Sequence, residues 1–233
     1  MNVVITGATK GIGKAIAITF ATEGANLFVC SRNFEELKAF KQEILAINTD
    51  INVWIKKADV SKKKDVVAFA KYIAKHANQV NILVNNAGKF ITGNILEEDD
   101  GILEQLIETN LYSAFHLTRA LLPLLKNSEK GHIFNMCSIA SKKALPNCGS
   151  YCISKFAMLG FSKALREELK EQKIKVTSLL PGATWSNAWA GVELPATRLM
   201  EAQDIAKIVL STFHLGDSAV VEEIVMRPQL GDL

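Results

Sequence analysis

A short apolar run, Val3-Val4-Ile5, leads directly into Thr6-Gly7-Ala8-Thr9-Lys10-Gly11-Ile12-Gly13, and an amphipathic stretch follows. A strand that turns through glycines into a helix gathers free backbone N–H groups and the positive end of the helix at one point. That point suits a pyrophosphate. Each glycine has its own reason: the chain turns tightly, approaches a ligand closely, and lets the helix pack on the sheet. The spacing, Gly-x3-Gly-x-Gly, differs from the Gly-x-Gly-x-x-Gly of the common dinucleotide fingerprint. Gly7, Thr9, Lys10, Gly11, Ile12 and Gly13 are the first candidate cofactor contacts.

The rest of the chain keeps the rhythm that this turn begins. Apolar, β-rich runs at 2–6, 26–30, 51–57, 81–84, 131–137, 174–180 and 219–226 alternate with helical patterns near 11–23, 34–47, 62–77, 99–107, 109–126, 150–171 and 202–214. Ile82-Leu83-Val84 and Leu27-Phe28-Val29 are continuously apolar, as strands covered on both faces must be. The expected fold is α/β: a single-domain Rossmann architecture over 1–233, with a doubly wound, parallel, seven-stranded sheet and helices on both faces. Residues 182–200 break the rhythm. They carry Trp185 and Trp189 and follow a strand at the ligand-binding edge, so they are expected to form a substrate lid.

Composition narrows the function classes. A net charge of +3 over 233 residues gives no case for nucleic acid, and Lys62-Lys63-Lys64 reads as a solvated helix start. No apolar run reaches the ~18 residues of a membrane span, and a first strand at residue 2 or 3 leaves no room for a signal peptide. A cytoplasmic protein without membrane contact is the expectation. Cys30, Cys137, Cys148 and Cys152 lack zinc-type spacing and read as reduced packing residues, so no metal is expected.

The choice of nucleotide is read after the second strand. An acid there would hold a ribose 2′-hydroxyl. Instead the chain reads Cys30-Ser31-Arg32-Asn33, with no acid before Glu35. Ser31, Arg32 and Lys10 suit a 2′-phosphate, so NADP(H) is expected over NAD(H). Asp59 and Val60 close the third strand where adenine would lie. Asn86, Ala87 and Gly88 close the fourth, small enough for the chain to pass beneath a cofactor.

Tyr151 and Lys155 stand one helical turn apart on one face. A free phenol, with a pKa of ~10, is a poor acid–base catalyst at neutral pH. A lysine ammonium ~4 Å away, at an effective dielectric of ~20, would favour phenolate by up to ~4 kcal/mol, or ~3 pKa units. Ser138 follows the strand Ile133-Phe134-Asn135-Met136-Cys137 and can donate to a carbonyl. Asn110 is a polar residue in an apolar helix that can hold a relaying water.

Thr6-Gly7-x3-Gly11-Ile12-Gly13, Asn85-Asn86-Ala87-Gly88, Asn110, Ser138, Tyr151-x3-Lys155 and Pro181-Gly182 occur in the order and spacing of the classical short-chain dehydrogenases/reductases. The resemblance covers nearly the whole chain. It implies Tyr151 as the general acid of carbonyl reduction, Ser138 polarising the carbonyl, Lys155 binding the nicotinamide ribose and lowering the tyrosine pKa, and Asn110 completing a proton relay. Pro181, Gly182, Thr184 and Ser186 would receive the carboxamide. Thr184 departs from the family, where an apolar residue is usual. The tail Val221-Glu222-Glu223-Ile224-Val225-Met226-Arg227-Pro228 lacks the glycine-rich ending of fatty-acid-cycle ketoacyl reductases. The short lid and the tail look more like those of bacterial carbonyl reductases of the sepiapterin-reductase-like or hydroxy-acid kind.

The expected partner is a small carbonyl or alcohol substrate. The absence of charge between Gly182 and Gly191 favours a neutral or aromatic one. Phe115, Leu122, Phe156 and Phe161 lie beyond one core face of their helices, so a homodimer or homotetramer is expected. The competing readings are a 3-oxoacyl thioester reductase, an alcohol dehydrogenase of the same fold, and a non-catalytic NADP(H) sensor.

Overall fold

The structure, a computed structural model, describes residues 1–186, 189 and 191–231. The strands are β1 (Asn2–Thr6), β2 (Asn26–Ser31), β3 (Val53–Lys57), β4 (Ile82–Asn85), β5 (Gly131–Met136), β6 (Ile174–Pro181) and β7 (Glu223–Met226). Among the described residues they form one seven-stranded sheet in the order β3-β2-β1-β4-β5-β6-β7, and every pairing is parallel. The order reverses between β1 and β4, which opens a crevice at the carboxyl ends of the strands.

The helices are α1 (Gly11–Thr22), α2 (Phe34–Ile47), α3 (Lys63–Ala74), α4 (Ile102–Ile107), α5 (Ser113–Lys126), α6 (Gly149–Leu169) and α7 (Ala202–Phe213). Alternate strand residues feed two layers. Val3, Ile5, Leu27 and Val29 pack with α1, α2 and α7, whereas Val4, Phe28 and Leu83 pack with α3, α5 and α6. Both faces are dry, which is why these strands read as unbroken apolar runs.

The boundaries differ from the sequence reading where local geometry intervenes. The helix expected from 99 begins only at Ile102, because Gly101 takes φ 90° just before it. The helix expected over 109–126 starts as a π turn, Glu108–Tyr112, that bulges around Asn110 before α5 proper. The last strand is confined to 223–226 and the third begins at Val53.

All four cysteines are buried free thiols, and burial pushes Cys30 up to about 12 and Cys137 up to about 11. Among the described residues no helix is long and apolar enough to cross a membrane, and no group of three or more His, Cys, Asp or Glu could hold a metal ion. The apolar stripe expected on the two long helices is narrower than the sequence suggested. Leu122 and Phe161 lean into the core and Phe115 is half-buried against Phe161, while Phe156 is exposed, as are Ile153 and Tyr112.

Candidate active site

The glycine turn is locked to the neighbouring strand. Gly7 and Gly11 take φ 67° and 54°, the left-handed region that the turn requires. The Thr6 hydroxyl accepts from the backbone N–H groups of Asn86 (3.0 Å) and Ala87 (2.9 Å). The Asn86 amide donates to the carbonyls of Thr6 (2.9 Å) and Gly7 (3.1 Å). A methyl at Gly13 would lie 2.4 Å from both Asn86 Nδ2 and the Gly7 carbonyl, so this clamp leaves room only for glycine. Ile12 is partly buried and packs against the core.

Across that crevice lie Asn110, Ser138, Tyr151 and Lys155, brought together from the π turn, the exit of β5 and one face of α6. Ser138 Oγ accepts from the Ala140 N–H at 3.1 Å and so keeps its own proton available to donate. The Ser138 hydroxyl pulls the Tyr151 phenol down, but burial dominates and pushes it up to about 12. Phe90 meets the Tyr151 ring edge-on, with centroids 4.8 Å apart.

Lys155 is buried, and its ammonium donates to the Met136 carbonyl at 2.8 Å. Burial draws it down to about 8. Its Nζ stands 5.8 Å from the centre of the Tyr151 ring. The expected lowering of the tyrosine by this lysine is therefore corrected. Burial is the dominant influence on the phenol, and the Ser138 hydrogen bond rather than Lys155 is what pulls it down.

Asn110 is tied down more completely than a water-holding amide would be. Its Oδ1 accepts from the Lys89 N–H (2.7 Å), and its Nδ2 donates to the Lys89 carbonyl (3.0 Å) and Ser154 Oγ (2.9 Å). It pins the segment after β4 against α6. Ser154 and the Met136 carbonyl have no motif in the sequence, and only the fold reveals them as supports.

At the far end of the crevice, Ser31 and the exposed Arg32 leave β2. Lys10 is not free beside them: its Nζ lies 2.9 Å from Glu36 Oε1. Glu36 was missed in the sequence, because it sits in the first turn of α2 rather than at the strand end. Its reach becomes visible only when Asn33 caps that helix. Burial works against the Asp59 carboxylate, but hydrogen bonds from Ser61 and the nearby Lys62 and Arg32 hold it below the usual range. Val60 turns partly into the core.

Pro181 and Gly182 end β6, where the Gly182 N–H donates to the Met226 carbonyl at 2.7 Å. Thr184 is buried, and its hydroxyl donates to the Gly182 carbonyl at 3.0 Å, which explains a polar residue where an apolar one is usual. Ser186 faces Gly11 across the crevice: a methyl on Gly11 would stand 3.5 Å from Ser186 Cβ. In the segment expected to be a lid, Trp185 donates from its indole to the Ala196 carbonyl at 2.8 Å, while Asn187, Ala188 and Ala190 lie outside the described residues.

A family model described as short chain dehydrogenase matches residues 1–194. The chain belongs to the short-chain dehydrogenase family. This dehydrogenase is 33% identical to a sepiapterin reductase of Chlorobaculum tepidum, over 98% of the chain and 96% of that protein. It superposes on an alcohol dehydrogenase from Thermococcus sibiricus complexed with 5-hydroxy-NADP at a TM-score of 0.89, with 26% identity over 98% of this chain and 96% of that one. A metagenomic short-chain oxidoreductase in complex with NADP gives a TM-score of 0.84, with 28% identity over 98% and 97% of the two chains. The fold and family expected from the motifs are therefore the dehydrogenase's own.

Proposed function

We propose that this dehydrogenase is a cytoplasmic, NADPH-dependent reductase of a small, neutral carbonyl compound, with Tyr151 as the general acid. The observation that carries the reading is the meeting of the half-buried Tyr151 phenol with the Ser138 hydroxyl and the Lys155 ammonium, beside Phe90. The crevice fits a dinucleotide. The left-handed Gly7 and Gly11 bare the backbone of the turn, and a methyl on Gly88 would come within 3.4 Å of Asn110 Oδ1 and 3.7 Å of Lys155 Nζ.

When bound, NADPH supplies the hydride. Ser138 donates a hydrogen bond to the carbonyl oxygen and polarises it. Tyr151 gives its proton to that oxygen as negative charge develops there. Lys155 holds the nicotinamide ribose and, as an ammonium, faces the resulting phenolate. Asn110 keeps the segment after β4 in place against α6 through its amide. Gly7, Thr9, Gly11, Ile12 and Gly13 would hold the pyrophosphate and Asp59 and Val60 the adenine, while Asn86, Ala87 and Gly88 would leave room for the cofactor. Pro181, Gly182, Thr184 and Ser186 receive the carboxamide. Residues 182–200 cover the substrate.

The test follows NADPH and NADH oxidation in parallel over ketones, aldehydes, diketones and β-keto thioesters. NADPH-favoured turnover of a ketone or aldehyde is expected. Turnover of thioesters alone would replace this reading with a ketoacyl reductase, and tight NADPH binding without turnover of any compound would favour a sensor. Arg32→Ala is expected to raise the KM for NADPH by about tenfold, the worth of one charge-assisted contact, and to leave that for NADH unchanged. Equal effects on both would remove Arg32 from the 2′-phosphate.

The exposed Tyr112, Ile153 and Phe156 support a homodimer or homotetramer. Sedimentation at micromolar concentration is expected to show one of these, and a monomer would exclude both.

A further inference from the structure

We propose that Glu36 is a specificity-determining residue that sets the balance between the 2′-phosphorylated and unphosphorylated dinucleotide, by holding Lys10 and opposing the phosphate. The inference rests on the reading that the ribose lies at the Ser31–Arg32 edge.

The geometry is a bridge between two elements. Glu36 lies in the first turn of α2, where the Asn33 side chain accepts from the Glu35 and Glu36 N–H groups. From there its carboxylate reaches the glycine turn. Oε1 accepts from Lys10 Nζ at 2.9 Å and from Asn33 Nδ2 at 3.2 Å, and the Thr9 hydroxyl also engages it. Lys10 holds the carboxyl below the usual carboxylate range, so it is charged at neutral pH. The neighbouring charges are otherwise accounted for. Glu35 pairs with Lys38 and Lys14 with Glu43, while among the described residues none is ion-paired with Arg32.

A ribose 2′-phosphate carries roughly −1.5 to −2 charges at neutral pH. Arg32 meets that charge with the Asp59 carboxylate in its neighbourhood but with no ion-pair partner among the described residues. Lys10 meets it already neutralised by Glu36, and the Glu36 carboxylate repels it directly. An unphosphorylated ribose instead offers hydroxyl donors, which a carboxylate accepts. Arg32 and Glu36 therefore pull cofactor choice in opposite directions, and the preference for phosphate is weaker than Lys10 and Arg32 together would produce.

The test is calorimetric titration of the full chain with adenosine 2′,5′-bisphosphate and with 5′-AMP, which need no turnover. E36Q is expected to bind the bisphosphate about three- to tenfold more tightly, the scale of one partly screened charge, without gaining affinity for 5′-AMP. K10M is expected to weaken bisphosphate binding less in the wild-type background than in E36Q, because only there is Lys10 released. A matching melting temperature for E36Q shows that the cap at Asn33 survives. Equal changes for both probes, no change for the bisphosphate, or equal losses from K10M in both backgrounds would overturn the assignment. A wild type that binds 5′-AMP more tightly than the bisphosphate would contradict the NADP(H) reading, while the response to E36Q would still decide the role of Glu36.

Discussion

Replacing Tyr151 with phenylalanine is expected to lower turnover by about 10²–10⁴-fold, the usual contribution of a positioned general acid, while leaving the fold intact. The ring stays, and with it the edge contact to Phe90 at 4.8 Å. The phenolic hydroxyl goes, and neither Ser138, whose proton already polarises the carbonyl, nor Lys155, which donates to the Met136 carbonyl, replaces the lost acid. NADPH oxidation by the variant, with its circular dichroism spectrum and nucleotide affinity measured alongside, checks the result. Near-normal turnover by a folded, nucleotide-binding variant would sink the mechanism.

The same pair sets the pH profile. With the phenol at about 12 and the lysine at about 8, Tyr151 keeps its proton across the neutral range while Lys155 loses its own first. Wild-type reduction is therefore expected to slow as pH rises through about 8, where the phenolate left by proton transfer loses its cation.

The second large effect lies in the core, at His132 on β5. His132 Nε2 is 2.8 Å from Thr177 Oγ1, and that hydroxyl donates to the Val221 carbonyl at 2.6 Å. Thr177 must then accept from the imidazole, which places the ring proton on Nε2. Nδ1 is left buried without a partner among the described residues, beside the stacked Phe134 ring. A second proton there would be an unpaired buried cation. Burial, with help from Lys175 and Lys130, pulls the imidazole down to about 3.

The folded value lies below the unfolded one, so the unfolded chain takes up the proton first. Stability is fully present above about 6.5 and is lost as pH falls toward 3. The slope is about 1.4 kcal/mol per pH unit, amounting to about 5 kcal/mol across the window. His132→Leu leaves Thr177 donating to Val221 and removes the titration. Urea unfolding between pH 4 and 8 is expected to show the variant losing less stability toward acid than the wild type. Parallel curves would refute the assignment.

Much of this molecule was legible in its sequence because the governing physics is local. A strand, three spaced glycines and a helix encode a turn whose backbone conformation few other residues can adopt. Two-sided burial demands strands that are apolar at every position, as Leu27-Phe28-Val29 is. Tyr151 and Lys155 share a face because one helical turn separates them. What stayed hidden depends on distances between segments far apart in the chain. The Glu36–Lys10 bridge joins two elements, and no local pattern reports it. The amide of Asn110 reads as a candidate relay until Lys89 and Ser154 close around it. The upward shift of the Tyr151 phenol turned on depth, a quantity that exists only once α6 is packed against the end of β5. Sequence alone thus determined the architecture and the set of candidate residues, because those rest on backbone geometry and residue type. Only the tertiary structure decided their protonation and pairing, because burial and charge separation are properties of the packed molecule.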